Sequence, residues 1–262
     1  MDFTLEAEFE FLIQLKMAYM SQSSSSNIPQ NTHEVFLSFR GEDTRNNFTS
    51  HLHATLTRFQ IKTYIDYNLV RGDEISNALL RAIEESKLSV VVLSENYANS
   101  KWCLDELVKI LECKKNKGQI VVPVFYGIDP SNVRNQTGSY GIAFAKHEKQ
   151  FWRDVSKVQR WRSALAEIAN LAGWDCCTNS MQSELVERIA KDVLEKLNHV
   201  YVGDLDEEIN KYEQLSNLQA VNLMRGSGFN PQLWHDLQAT NQHLGELRMK
   251  KNVILLRLPR GM

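Results

Sequence analysis

"LSVVVLSENYANSKWCLDEL", residues 88–107, decides how this chain is read. Leu88–Ser94 is apolar on successive residues rather than on alternate ones, so both faces of the strand must be covered. A strand of that kind belongs inside a parallel sheet with helices on either side. The period then changes. Leu104, Leu107, Val108 and Leu111 recur at helical spacing, which predicts a helix over Trp102–Lys115.

The same alternation extends outward in both directions. Glu34–Phe39, Lys62–Asp66 and Ile120–Tyr126 read as strands, and a short fifth is expected near Trp174–Cys177. Helices are expected over Asn46–Arg58 and Glu74–Glu85, within "KVQRWRSALAEIANLAGW" (157–174), and over Ser183–Leu197. Lys114, Lys115 and Lys117 read as the solvated end of the helix after strand three. Five strands and their helices in about 170 residues predict a flavodoxin-like α/β fold, a parallel sheet of order 2-1-3-4-5 with helices on both faces.

This main domain is expected over residues 33–200. Residues 1–32 are an N-terminal extension, amphipathic at first and ending in the turn-rich linker "SQSSSSNIPQN". Residues 201–262 form a helical or irregular tail, in which Ile209, Tyr212, Leu215, Leu218 and Val221 keep helical spacing until Gly226, Gly228 and Pro231 interrupt it.

Composition excludes several functions. A formal charge of −2 over 262 residues leaves no basic footprint for nucleic acid or an anionic membrane surface. The start lacks the basic residues and unbroken apolar core of a secretory signal, and no apolar run approaches the length of a membrane span. Four cysteines, Cys103, Cys113, Cys176 and Cys177, lack C-x-x-C spacing and read as reduced structural thiols; no metal site is expected. The Walker A, G-x-S-x-G and H-E-x-x-H patterns are missing.

In an open parallel sheet the ligand site lies beyond the carboxyl ends of the strands, where strand order reverses. Here that crevice falls between Ser38-Phe39-Arg40-Gly41 after strand one and Ser94-Glu95-Asn96-Tyr97 after strand three. Arg40 offers a fork to a phosphate or carboxylate, and Gly41 allows close backbone approach. Glu106 lies at the edge of the apolar stripe of the next helix, beside Trp102, where a carboxylate can be partly desolvated. An acid early in a helix usually serves the helix dipole, and Trp102 is more often a core or rim aromatic than a base-stacking platform. Asp105 points about 100° away from Glu106, so the two acids should not share one task. "NLVRGDEI" (68–75) is a loop with Asp73 as a helix cap, and "GIDPSNVRNQTGS" (127–139) is long enough to carry function.

These blocks together resemble the plant TIR (Toll/interleukin receptor) domain family of intracellular immune proteins. "VFLSFRGEDTR", "RGDEI", "LLRAIEESKLSVVVLSENYANSKWCLDELVKILECKK", "VPVFYGIDPSNVRNQTGSYGIAFAKHE" and "RWRSALAEIANLAGW" stand in the family's order over about residues 33–200. The resemblance implies a five-stranded flavodoxin-like domain and, for many plant members, NAD+ nucleosidase (NAD glycohydrolase) activity on self-association, with NAD+ as substrate and no permanently bound cofactor. It implies Glu106 as the catalytic acid and Phe39, Arg40, Gly41, Ser94 and Trp102 as residues of the nucleotide pocket. It further implies TIR–TIR partners, with Ser50-His51 and the Arg71-Gly72-Asp73 loop as contact candidates, and a cytoplasmic location with the nucleus also open.

Tyr67 and Val70-Arg71 depart from the family's charges in that loop, and Asn132 replaces a common aspartate. No nucleotide-binding ATPase module or leucine-rich repeat follows, so the expectation is a short TIR protein with a tail. Two other functions compete: a non-catalytic TIR adaptor using the same surfaces, and a phosphorelay receiver. The receiver needs an aspartate at the end of strand three, where Ser94 stands.

Overall fold

A computed structural model of the protein describes residues 33–65, 77–176, 182–225 and 230–255. Its sheet has five parallel strands in the order β2-β1-β3-β4-β5: β1 (Val35–Phe39), β2 (Thr63–Tyr64), β3 (Leu88–Ser94), β4 (Ile120–Tyr126) and β5 (Trp174–Asp175). Every residue of β1 and β3 is buried, which is what an unbroken apolar strand needs from layers on both faces. The register Val35↔Leu88 through Phe39↔Val92 brings the ends of β1 and β3 side by side.

The helices are α1 (Gly41–Thr44), α2 (Ser50–Arg58), α3 (Asn77–Glu85), α4 (Lys101–Lys117), α5 (Pro130–Asn135), α6 (Gly138–Gln150) and α7 (Val155–Ile168), followed by α8 (Gln182–Arg225) and α9 (Pro231–Leu255). The helix expected over Asn46–Arg58 is therefore made of pieces, with a π turn at Arg45–Thr49 between α1 and α2. That wider turn lets the neighbours Phe48 and Thr49 both go inward; Phe48 packs on Tyr126 with ring centroids 4.8 Å apart, and Thr49 Oγ1 donates to Thr44 Oγ1 at 2.8 Å.

Helix α4 has clear start and stop signals. The Ser100 hydroxyl accepts from the Cys103 N–H at 3.3 Å, and Gly118 closes the helix in the left-handed region at φ 69°. Lys114, Lys115 and Lys117 occupy its last turn as expected. At the opposite end of the sheet from the strand carboxyl ends, buried Gln119 donates to the carbonyls of Ile83 and Ser86 at 2.7 Å each and accepts from Ser89 at 3.2 Å. A fully satisfied amide of this kind fixes the strand starts without an orphaned polar atom.

The stretch after β4 holds helices α5 and α6 rather than a long loop. Asp129 caps α5 and Pro130 occupies its first turn, while Tyr140, Ala143, Phe144 and His147 make the buried face of α6. The chain divides into two compact units, Ile28–Leu194 and one that takes in Glu195–Met262. Helix α8 runs on through the residue 200/201 boundary expected from sequence, and no proline interrupts it before Arg225. In the second unit, α8 and α9 pair through Arg248–Glu213 and Lys251–Asp206 ion pairs and a Tyr212–His243 ring contact, over a seam that includes Leu205 and Leu247.

Candidate active site

A cavity of about 640 Å³ opens where the end of β1 meets the start of α4. This is within the roughly 300–1,000 Å³ range of small-molecule sites. Strand β1 delivers Phe39, Arg40 and Gly41 to it, α4 delivers Trp102 and Glu106, and α6 contributes His147. The parallel register explains the convergence: β1 and β3 end together, and the chain leaving β3 needs only a 3-10 turn at Tyr97–Asn99 before α4 begins over the same crevice.

Glu106 is 3% exposed. Its Oε2 lies 2.8 Å from Ser38 Oγ, which in turn lies 2.9 Å from the Tyr97 hydroxyl. Tyr97 donates to the Cys103 carbonyl at 2.9 Å. Burial, with Cys103 and Glu106 adding to it, pushes the Tyr97 phenol well above its ordinary value. Burial, reinforced by Glu106, likewise pushes the Cys103 thiol up, so Cys103 is a protonated thiol and no nucleophile. Its Sγ sits 3.6 Å from the Phe39 carbonyl, a structural contact between α4 and β1.

Asp105, the neighbour of Glu106, faces elsewhere. Its Oδ1 accepts from Trp161 Nε1 at 2.7 Å and its Oδ2 pairs with Lys157 at 3.0 Å, both on α7. The two adjacent acids therefore serve two different neighbours, as their angular separation on the helix requires.

Arg40 is held by its own turn. One terminal nitrogen bonds Asp43 and the other bonds Glu42. Asp43 in turn accepts from Ser94 Oγ at 2.6 Å and from the Asn96 N–H at 3.2 Å. Ser94, expected from sequence in the nucleotide pocket, is 2% exposed and is not among the residues lining this cavity; its hydroxyl reaches Asp43, which holds Arg40. Its position as the last residue of β3 directs its hydroxyl to the α1 turn instead.

Gly41 permits a tight contact. A Cβ there would lie 2.7 Å from Arg45 Nη2 and 2.9 Å from its Nε, so the Arg45 side chain passes where any other residue would stand. Arg45 also sits 5.8 Å above the Phe39 ring and lines the cavity, a site residue that sequence reasoning missed. Ser100, Lys101 and His147 were missed as well; the signal for His147 was the apolar periodicity of α6. Ser50 and His51 lie on the first turn of α2, away from the cavity, with His51 exposed. The Arg71-Gly72-Asp73 loop lies outside the described residues. Among the described residues no helix is long and apolar enough to cross a membrane, and no cluster of His, Cys, Asp and Glu is arranged to hold a metal.

Residues 32–211 match the family model of the TIR domain. The chain belongs to the TIR domain family. Disease resistance protein RPV1 of Vitis rotundifolia is 53% identical over 178 residues, covering 68% of this chain and 12% of RPV1. TMV resistance protein N of Nicotiana glutinosa is 44% identical over 200 residues, covering 76% of this chain and 18% of protein N. The chain thus spans under a fifth of the length of either relative. Among solved structures, a TIR domain of the activated Roq1 resistosome, which directly recognises the pathogen effector XopQ, aligns with a TM-score of 0.58 and 50% identity. That alignment covers 61% of this chain and 98% of the resistosome domain. The TIR fold and the flavodoxin-like strand order expected from sequence are both present.

Proposed function

We propose that this TIR domain hydrolyses the nicotinamide–ribose bond of NAD+, on self-association, as a signalling step in plant immunity. One observation carries the reading: of the two carboxyls that line a nucleotide-sized cavity, Glu42 and Glu106, Glu106 is the buried one, and it shares that cavity with Arg40 and Trp102. The bond from ribose C1′ to the pyridinium nitrogen breaks with its electron pair going to nicotinamide, which leaves neutral and needs no general acid. Positive charge builds on C1′ and the ring oxygen, and the Glu106 carboxylate stabilises it. Water then adds to C1′ and loses a proton, giving ADP-ribose.

Trp102 offers a face to a base or to the nicotinamide ring, and Arg40, Arg45 and Lys101 line the cavity as cations for a diphosphate. The immune role is supported by the relatives, which are disease resistance proteins, and by the resistosome that holds the aligned TIR domain. Exposed His51, with Ser50 beside it on α2, gives the contact surface for a second TIR domain. The cytoplasm is the compartment this reading takes.

A second reading, a non-catalytic adaptor acting through TIR–TIR contacts, is favoured by the state of Arg40. Its guanidinium is engaged by Glu42 and Asp43 rather than presented to a phosphate. The two readings separate in one assay: nicotinamide release from NAD+ by the purified chain at rising concentration, wild type against Glu106→Ala. Release that grows faster than concentration and disappears in the variant supports the enzyme. Silence of both proteins under conditions of measured self-association supports the adaptor.

A further inference from the structure

The chain between β3 and α4 is held from two sides. On one side Asp43, in the turn after β1, accepts from the Asn96 N–H at 3.2 Å. On the other, three side chains of α6 donate to backbone carbonyls: Tyr140 Oη to Ser94 at 3.0 Å, Ser139 Oγ to Glu95 at 2.7 Å and His147 Nε2 to Ala98 at 2.8 Å. A carbonyl can only accept, so the proton of the last contact sits on His147 Nε2. Tyr140 and Ser139 hold the end of β3, whereas His147 reaches the 3-10 turn itself. The residues that follow Ala98, from Asn99 to Trp102, line the cavity.

His147 stands on the buried face of α6, 6% exposed, with the rings of Trp161 at 5.1 Å and Phe144 at 5.9 Å set edge-on against it. Its other ring nitrogen, Nδ1, is buried and makes no hydrogen bond among the described residues. Packing alone does not ask for a histidine there, since a phenylalanine would fill the same aromatic setting without a buried nitrogen left over. We propose that His147 is a positioning residue of the site: its Nε2–H holds the Ala98 carbonyl and thereby fixes Asn99–Trp102 as a wall of the cavity. The hold passes into α4 through Ser100, whose hydroxyl caps that helix at the Cys103 N–H. Glu106 is tied separately, through Ser38 at 2.8 Å, so loss of the His147 bond loosens the wall more than the acid. The hold on the turn stands without the NAD+ reading; only its consequence for substrate rests on that reading.

The test is amide hydrogen exchange on the full chain, with nicotinamide release measured beside it. His147→Phe keeps the aromatic packing and removes the bond, whereas His147→Gln removes the ring and keeps an N–H donor near the place of Nε2. In the turn, the Asn99 N–H donates to Asn96 at 2.9 Å and the Ser100 N–H to Tyr97 at 3.2 Å. Exchange of these two amides is expected to rise severalfold in the phenylalanine variant, to return toward wild type in the glutamine variant, and to stay unchanged at Val91 within β3. KM for NAD+ should follow the same order, with kcat changed less. Equal exchange at Asn99 and Ser100 in wild type and His147→Phe overturns the proposal. A glutamine variant no better than the phenylalanine one also overturns it, because ring packing would then be what matters. Faster exchange with an unchanged KM overturns the link to the site. If neither variant folds, nitrogen NMR of the wild-type His147 ring in mildly alkaline solution decides: a protonated Nε2 beside a bare Nδ1 is expected, and the opposite tautomer overturns the bond. A turn that responds as expected in a chain that releases no nicotinamide keeps His147 in its role and counts against the NAD+ reading alone.

Discussion

Ser94 Oγ donates to one oxygen of Asp43 at 2.6 Å, and the other oxygen of that carboxylate holds Arg40. The last residue of β3 thereby sets the aim of the arginine that ends β1, although it does not touch the cavity itself. Ser94→Ala should leave a partly buried carboxylate short of one donor and cost about 1–3 kcal/mol. Urea unfolding with an unchanged m-value measures that loss. On the NAD+ reading the same variant should raise KM more than it lowers kcat, because Asp43 holds Arg40 at the cavity and Arg40 would meet the diphosphate rather than the reacting carbon. An unchanged KM would show that the aim of Arg40 does not matter to substrate.

Asp105 and Glu106 give a cleaner separation. Asp105 ties α4 to α7 through Trp161 and Lys157, and Trp161 is 1% exposed. Asp105→Ala is expected to lower stability by about 1–3 kcal/mol through the orphaned indole N–H, with nicotinamide release per folded molecule kept. Glu106→Gln is expected to do the reverse, abolishing release with little effect on the unfolding midpoint. Equal effects on both quantities in both variants would mean that the two acids are not divided in their tasks.

These pairs show what the sequence carried and what it could not. Strands such as Leu88–Ser94 were legible because a doubly covered strand must be apolar throughout, whereas spacing put Glu106 only at the edge of the apolar stripe and the family resemblance alone gave it a catalytic role. Helices α5 and α6 were missed although Asp129-Pro130 is a cap followed by a first-turn proline, because the polar run after it outweighed that local signal. The partnership of Ser38 with Glu106 joins residues 68 positions apart, and no local pattern reports it. The bond from Ser94 to Asp43 was illegible for the same reason: the strand end is visible in sequence, but the direction of a hydroxyl from it is set by the turn that packs opposite.

Gly41 tests packing at the cavity separately from stability. The three atoms nearest an added Cβ belong to the guanidinium end of Arg45, a flexible side chain, and Gly41 lies in the first turn of α1, where alanine is acceptable. Gly41→Ala should therefore leave the unfolding midpoint nearly unchanged, displace Arg45 from Phe39 and lower nicotinamide release severalfold. A loss of stability comparable to the loss of release would show that the glycine is needed by the backbone rather than by the cavity.

Acid should loosen the two aspartate-capped helices of the first unit before it reaches the buried core. Asp129 accepts from the Ser131 N–H at 2.7 Å, and Asp154 accepts from the Ser156 hydroxyl at 2.7 Å and the Lys157 N–H at 3.1 Å. Side-chain and then backbone hydrogen bonds hold both carboxyls below their ordinary value of 3.8. A depressed folded-state value means that the unfolded chain binds protons first as pH falls. The cap's contribution is therefore complete above 3.8 and is lost as pH drops through the lower folded values. Hydrogen-exchange protection of the Ser131 and Lys157 amides should fall across that acid range in wild type. Asparagine caps a helix without titrating, so Asp129→Asn and Asp154→Asn should keep the protection and remove its pH dependence. The same acid-induced loss in the asparagine variants would place the titrating group elsewhere.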